Sequence, residues 1–193
     1  VSIKSDLRTK KTNKAIYAAF FQLISQKKFS EITINDIAKQ AMINRSTFYL
    51  HYTDKYALLN TLVEDGITKV INSVSPKSHI SDNKLDYKLF AADLSRSLQV
   101  IAGQAQLFKF ILNDPESLGI RQRAEKALKK RLTNGFPLET HIVRDLFLEI
   151  VSSIYLSVIC WWLNNDMKYS TSFLTQELVK FFEVGPEGLL TSD

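Results

Sequence analysis

Apolar residues recur at three- and four-residue intervals along almost the whole chain, and only four prolines and six glycines interrupt them. That spacing gives each of a succession of helices one apolar face, so the pattern predicts an all-α protein of about nine helices. Ile16, Phe20, Leu23 and Ile24 form the stripe of a first helix, led by Lys10, Lys11 and Lys14. Thr33 is placed to cap a second, with Asp36 three residues on able to reach back to the backbone and Ile34, Ile37, Ala38 and Ala41 facing inward. A third begins near Asn44. Asp54 caps a fourth, which runs through Leu58, Leu59, Leu62 and Ile67 toward Val74; Pro76, Ser78, Ser81, Asp82 and Asn83 then mark a loop.

Beyond the loop the periodicity predicts helices over 85–102, 106–113 and 118–132, the last basic and ending at Asn134, Gly135 and Pro137. A long helix follows over about 140–164, and its stretch 146–163 is apolar on almost every side, unlike a surface helix. The final helix, 172–183, stops at Gly185 and Pro186. Two such apolar helices at one end of the chain require partners on more than one face, and a second copy of the chain is the simplest source. Ile154, Val158, Phe173, Leu174, Leu178, Phe181 and Phe182 are the candidate dimer residues, and a charge at Phe181 or Phe182 is expected to give monomers.

Composition changes this picture little, but charge changes it considerably. The chain has 193 residues, 45% of them hydrophobic, enough for a proper core. Residues 1–60 hold ten Lys or Arg against four Asp or Glu, a balance of +6, whereas the remainder, with fifteen against sixteen, stands at −1. A basic first part points to a polyanionic partner, although a solvated charged surface would look the same. Cys160 is the single cysteine, which excludes an intrachain disulfide and fits a reducing, cytoplasmic setting. The apolar run from Ala15 to Ile24 has Gln22 near its end and no small-residue cleavage pattern after it, so it is expected to be helix, not secretory signal. The run from Ile150 to Leu163 is too short to span a bilayer and contains Ser152, Ser153 and Ser157, so no membrane association is expected.

Residues 33–55, TINDIAKQAMINRSTFYLHYTDK, then stand out as two short helices joined by a tight turn. A reading helix enters the major groove by its N-terminal end, so its first residues must be short, polar or basic while its inner face is apolar. Asn44, Arg45, Ser46, Thr47 and Tyr49 supply the outer set; Ile43, Phe48 and Tyr52 supply the inner one. Arg45 is the candidate base contact, since a guanidinium matches the acceptor pair on guanine, and Thr47 is suited to a thymine methyl. Thr33, Tyr49, His51 and Lys55 are candidates for phosphates, so that Lys55→Ala is expected to weaken binding to every sequence and flatten its salt dependence.

The same residues carry a family resemblance. The segment from about Lys10 to Leu62 resembles the DNA-binding domain of the TetR family of transcriptional regulators through Thr33, Ile37-Ala38, Thr47-Phe48-Tyr49, Tyr52, Asp54 and Lys55. Residues 161–170 and the Phe-rich helix after them are similar to a subgroup that includes activators of dihydroxyacetone kinase genes. The resemblance implies a DNA-binding domain over residues 1–53 and a helical effector-binding and dimerisation domain over 54–193. It further implies a homodimer on double-stranded, partly palindromic operator DNA, and a small-molecule effector that releases it, with repression the favoured outcome over activation or effector-independent binding. Where the family commonly has Gly in the turn, this chain has Met42, which must then tolerate a positive φ or avoid it, at some loss of stability.

Phe90, Phe108, Phe110, Phe147, Tyr155 and Trp161 are candidates to line an effector pocket, although plain core uses the same residue types. Arg121, Arg123, Lys126, Lys129, Lys130 and Arg131 read as a solvated helix face or, less simply, as a site for an acidic effector. His79 and His141 have no second His or Cys at metal-ligand spacing, so neither a metal nor a cofactor is expected. An enzyme is the competing class, yet no H-E-x-x-H, C-x-x-C, G-x-S-x-G or phosphate-loop string occurs, and the acidic residues are scattered.

Overall fold

The computed structural model describes residues 3–81, 84–137, 142–185 and 189. Among them the fold is built from helices α1 (Ile3–Ile24), α2 (Ile34–Gln40), α3 (Arg45–Tyr49), α4 (Lys55–Ser73), α5 (Tyr87–Gly103), α6 (Ala105–Asn113), α7 (Leu118–Gly135), α8 (Arg144–Asn164) and α9 (Thr171–Val184). Short 3-10 turns lie at Phe29–Glu31, Pro76–His79 and Pro115–Ser117. The loop expected after α4 also holds a two-rung antiparallel ladder, β1 (Ile80–Ser81) with β2 (Lys84–Leu85). Asp82, Asn83, His141 and Pro186, and the expected start of α8 near residue 140, lie outside the described residues.

The helices start where the sequence supplies side-chain acceptors. Thr33 and Asp36 form the capping box of α2, Asp54 accepts from the Ala57 amide at the start of α4, and Asp86 accepts from the Lys88 and Leu89 amides at the start of α5. Each cap satisfies an amide that the first helical turn would otherwise leave unbonded. α9 is capped by Ser170 and ends at Gly185, whose φ of 69° is a conformation glycine adopts without steric cost.

Ile16, Ala19, Phe20 and Leu23 of α1 are buried against Ile37, Phe48 and Tyr52, which closes α1 to α3 into a small head. The same hydrophobic cluster continues without a break through Leu58, Leu59 and Leu62 of α4 into α5, α6, α8 and α9. Gly66 of α4 lets α6 come close: a Cβ there would lie 2.9 Å from Leu107 Cδ2. Across the junction Phe29 packs on Phe110, their ring centroids 5.9 Å apart, and Glu116 accepts from both the amide and the hydroxyl of Ser30. Those two bonds hold the Glu116 carboxyl below its ordinary pKa, so the contact loses strength as the pH falls through that lowered value.

α8 departs most from expectation. As a continuous helix of 21 residues, longer than the run 150–163, it is long and apolar enough to cross a membrane by length and composition, a test that the core helix of a soluble protein also passes. Leu148, Ser152, Ile159, Trp162 and Leu163 face the body, while Leu146, Ile150, Ser153, Ser157 and Trp161 form an exposed stripe at helical spacing.

Candidate nucleic-acid interface

The head is held together by hydrogen bonds and aromatic contacts that leave one surface free. Thr33 Oγ1 accepts from the Asp36 amide at 3.1 Å, and the Asp36 carboxylate accepts from the Thr33 amide at 2.8 Å. Lys27 beside it, then the two Thr33 donors, hold the Asp36 carboxyl far below the usual carboxylate range. A depressed pKa means that this contribution to stability is present above the ordinary value and is lost as acid protonates the folded carboxylate. Tyr52 is buried and donates to the Tyr17 hydroxyl at 3.0 Å; burial, then Tyr17, pushes its own ionisation upward.

The turn between α2 and α3 runs through Met42 at φ 54°, with its side chain 92% exposed. A side chain there gains no packing and still meets the Cβ clash of the left-handed region, which costs about 1–2 kcal/mol. Met42→Gly should therefore raise the melting temperature, by up to about 1 kcal/mol of stability once the extra freedom of an unfolded glycine is subtracted. A lower melting temperature by calorimetry would contradict this account of the turn.

α3 begins immediately after the turn. Phe48 is fully buried and anchors the helix, packing edge-on against Tyr49 and tilted against Tyr52. Anchoring by that one side chain turns Asn44, Arg45, Ser46 and Tyr49 outward, while Thr47 and His51 are half-buried at the margin. Arg45 Nη2 donates to the Tyr49 hydroxyl at 2.9 Å, and the guanidinium lies 5.4 Å from that ring's centroid. The pair is therefore pre-arranged before any DNA arrives, which lowers the entropy cost of using Arg45 as a contact.

Two residues expected to touch phosphate have other tasks in this structure. Lys55 Nζ donates to the carbonyls of Phe29, Ser30 and Ile32 at 2.8, 2.9 and 2.8 Å, so all three of its protons are committed to the 3-10 turn that joins head to body. Thr33 has its hydroxyl and its amide engaged in the α2 cap. One exposed residue escaped the sequence reading: Leu50, at the end of α3, is 84% exposed beside the reading surface, and its departure from the apolar-inward phase was the available signal.

The candidates for a ligand pocket separate equally clearly. Phe90 and Tyr155 line a cavity of about 60 Å³, and Phe108 lines an adjacent one of about 40 Å³ on the other side of Tyr155. Phe110 instead serves the head–body junction, Phe147 packs on Phe136 with centroids 5.2 Å apart, and Trp161 is 48% exposed, stacked on Tyr169. Of the expected dimer residues, Leu174 and Leu178 are core and Phe182 faces the 60 Å³ cavity, because α9 packs its apolar face on α5; Ile154 faces the same cavity from α8. Val158 and Phe181 are half-buried, and Phe173 is exposed, stacked on Tyr169. The basic face of α7 is largely spent internally: Arg121 bonds Glu125 and the Leu112 carbonyl, Arg123 bonds Glu64, Lys129 bonds Glu149 and Arg131 bonds the Val74 carbonyl. An acidic effector therefore finds little free charge there.

Residues 16–62 match the family model described as bacterial regulatory proteins, tetR family. The chain is similar to the uncharacterized HTH-type transcriptional regulator YxbF of Bacillus subtilis (strain 168), 24% identical over 180 residues that cover 93% of this chain and 46% of that protein. It thus spans about half the length of that curated relative. Among solved structures, a TetR transcriptional regulator from Streptococcus agalactiae 2603V is 25% identical, covering 93% of this chain and 97% of that one with a TM-score of 0.60. The dihydroxyacetone kinase operon activator DhaS shares the fold, with a TM-score of 0.60 and 16% identity over 88% of this chain and 93% of that one. Residues 16–62 thus carry the match to the tetR family of bacterial regulatory proteins, and the chain as a whole shares the fold of a solved TetR transcriptional regulator.

Proposed function

We propose that the protein is a dimeric, ligand-responsive repressor of transcription that reads a partly palindromic operator in the bacterial cytoplasm. The observation that carries this reading is the outward set Asn44, Arg45, Ser46 and Tyr49 on a helix locked from behind by Phe48, on a part of the chain with an excess of positive charge. Thr47, His51 and Leu50 widen the surface, while Lys55 and Thr33 shape it from behind. Binding of duplex DNA should weaken steeply with salt, while one selected sequence should retain its advantage over random duplex across the same range, as anisotropy titrations would register. Salt-insensitive binding, or none, would remove the function.

The two domains divide at Asp54, and α4 couples them. Its first turn, through Lys55, holds the head, while Ile67, Val70 and Ile71 border the 40 Å³ cavity and Val74 borders the larger one. An effector that binds better when this end of α4 is displaced shifts the population of head positions, and only by that difference in affinity.

The second copy of the chain covers the stripe of Leu146, Ile150 and Trp161 on α8 together with Phe173 on α9. These exposed apolar groups replace the inward-facing residues named from the sequence. Ile150→Glu should shift the protein toward monomers in light scattering without lowering its helical content. A dimer undiminished by that charge would place the interface elsewhere.

A further inference from the structure

The 60 Å³ cavity lies between the end of α4 and helices α5, α7, α8 and α9, and most of its wall is apolar: Val74, Leu94, Leu132, Val151 and the rings of Phe90 and Phe182. Its polar groups, His79, Asp93, Ser97 and Tyr155, are not equally provided for. Asp93 accepts from the Ser75 amide and is paired with Arg96, and Ser97 donates to the Leu94 carbonyl at 2.8 Å. The Tyr155 hydroxyl is buried and, among the described residues, has no hydrogen bond of good geometry, although the Ser97 hydroxyl lies near enough to favour its ionised form slightly. His79 is only 3% exposed, and neither ring nitrogen has a hydrogen-bond partner among the described residues; Nε2 stands 3.5 Å from Asp93 Oδ2.

Two unmet polar groups on one cavity are unusual, since buried polar atoms in folded proteins are almost always bonded. Packing accounts for where they sit and not for their lack of partners. The imidazole is held by its face, stacked on Phe90 with centroids 5.5 Å apart, which leaves its ring edge free to bond. Burial lowers the pKa of this imidazole, favouring the neutral ring, against the opposing pull of Asp93 and then Asp86; desolvation pushes the Tyr155 hydroxyl up to about 12 against the smaller pull of Ser97. A neutral imidazole offers one donor and one acceptor, and a phenol hydroxyl offers both.

We propose that this cavity takes a small, uncharged, largely apolar molecule bearing one hydroxyl group, which bonds to Tyr155 and His79. The inference rests on the reading of the protein as ligand-responsive and names the class of its effector. Charge decides against the alternatives. An anion would meet the Asp93 carboxylate with no unpaired cation on the wall to receive it, because Arg96 is already committed. A cation would have to displace Arg96 from Asp93. An apolar molecule with no polar group would leave both side chains unpaired, which a site of this composition discriminates against. At about 60 Å³ the cavity is well below the roughly 150 Å³ of a cavity that holds benzene, so a ring-sized molecule must push the walls apart. Val74 and Pro76, at the end of α4, are among those walls.

The test uses the full chain, with phenol, toluene and benzoate as probes in calorimetric titration, for the native protein and for Tyr155→Phe. Phenol should bind about tenfold more tightly than toluene, benzoate should not bind, and Tyr155→Phe should bring phenol and toluene within about twofold of each other. The variant should melt no lower than the native protein, because it removes a buried hydroxyl that has no partner. His79→Gln, which keeps a donor and an acceptor, should retain part of the phenol preference. Toluene bound as tightly as phenol in the native protein would overturn the hydroxyl class while leaving an effector cavity in place. Binding of none of the probes would overturn the inference and the ligand-responsive reading together.

Discussion

Phe48→Ala should abolish DNA binding and cost about 3–5 kcal/mol of stability, the range for deleting a fully buried aromatic side chain. Phe48 has no exposed surface and packs against Tyr49 and Tyr52, so nothing small can fill its place. It is also the one buried residue within α3, a helix of five residues too short to hold its shape without packing. A loss of this size consumes much of the about 5–15 kcal/mol that keeps a typical domain folded. Phe48→Leu, which keeps most of the apolar contact, should bind DNA with a much smaller loss. Denaturant unfolding of both variants checks the claim. An alanine variant with native stability would mean that α3 is held by something other than its anchor.

Arg45→Ala should leave the fold intact and remove about 1–3 kcal/mol of discrimination between the preferred operator and random duplex. Arg45 is exposed and its bond to Tyr49 lies on the surface, so the substitution leaves no cavity. Binding to random sequence should fall only slightly, by the loss of one charge near the backbone, and the salt slope should change by at most about one unit. Equal losses on operator and random DNA would make Arg45 a phosphate contact and move base reading to Asn44, Ser46 and Thr47.

The parts of the protein that could be read in the sequence are those in which local chemistry decides the outcome. Thr33 with Asp36, Asp54 and the phase of Phe48 were legible because caps and helical periodicity are set within a few residues, and Met42 stood out because the family that the segment resembles commonly has Gly in that turn. The internal bonds of Lys55 were not legible, because its partners, the carbonyls of Phe29, Ser30 and Ile32, are brought to it by the path of a turn more than twenty residues earlier. Leu174, Leu178 and Phe182 were assigned to a dimer because an apolar stripe does not reveal whether its cover comes from the same chain or another; here α5 covers it. Trp161 and Phe110 failed as pocket residues for the same reason, one facing outward on α8 and the other meeting Phe29. The unpaired state of His79 and Tyr155 could not be read at all, since a missing hydrogen bond is a property of the packed interior.

The central claim, that α3 of each protomer reads a major groove of one operator, is tested most directly by hydroxyl-radical footprinting of the selected duplex. The account predicts two protected segments whose centres lie roughly 34–36 Å apart, or a multiple of that, on one face of the duplex, both lost with Phe48→Ala. A single protected segment, or protection unchanged in the Phe48→Ala protein, would contradict it.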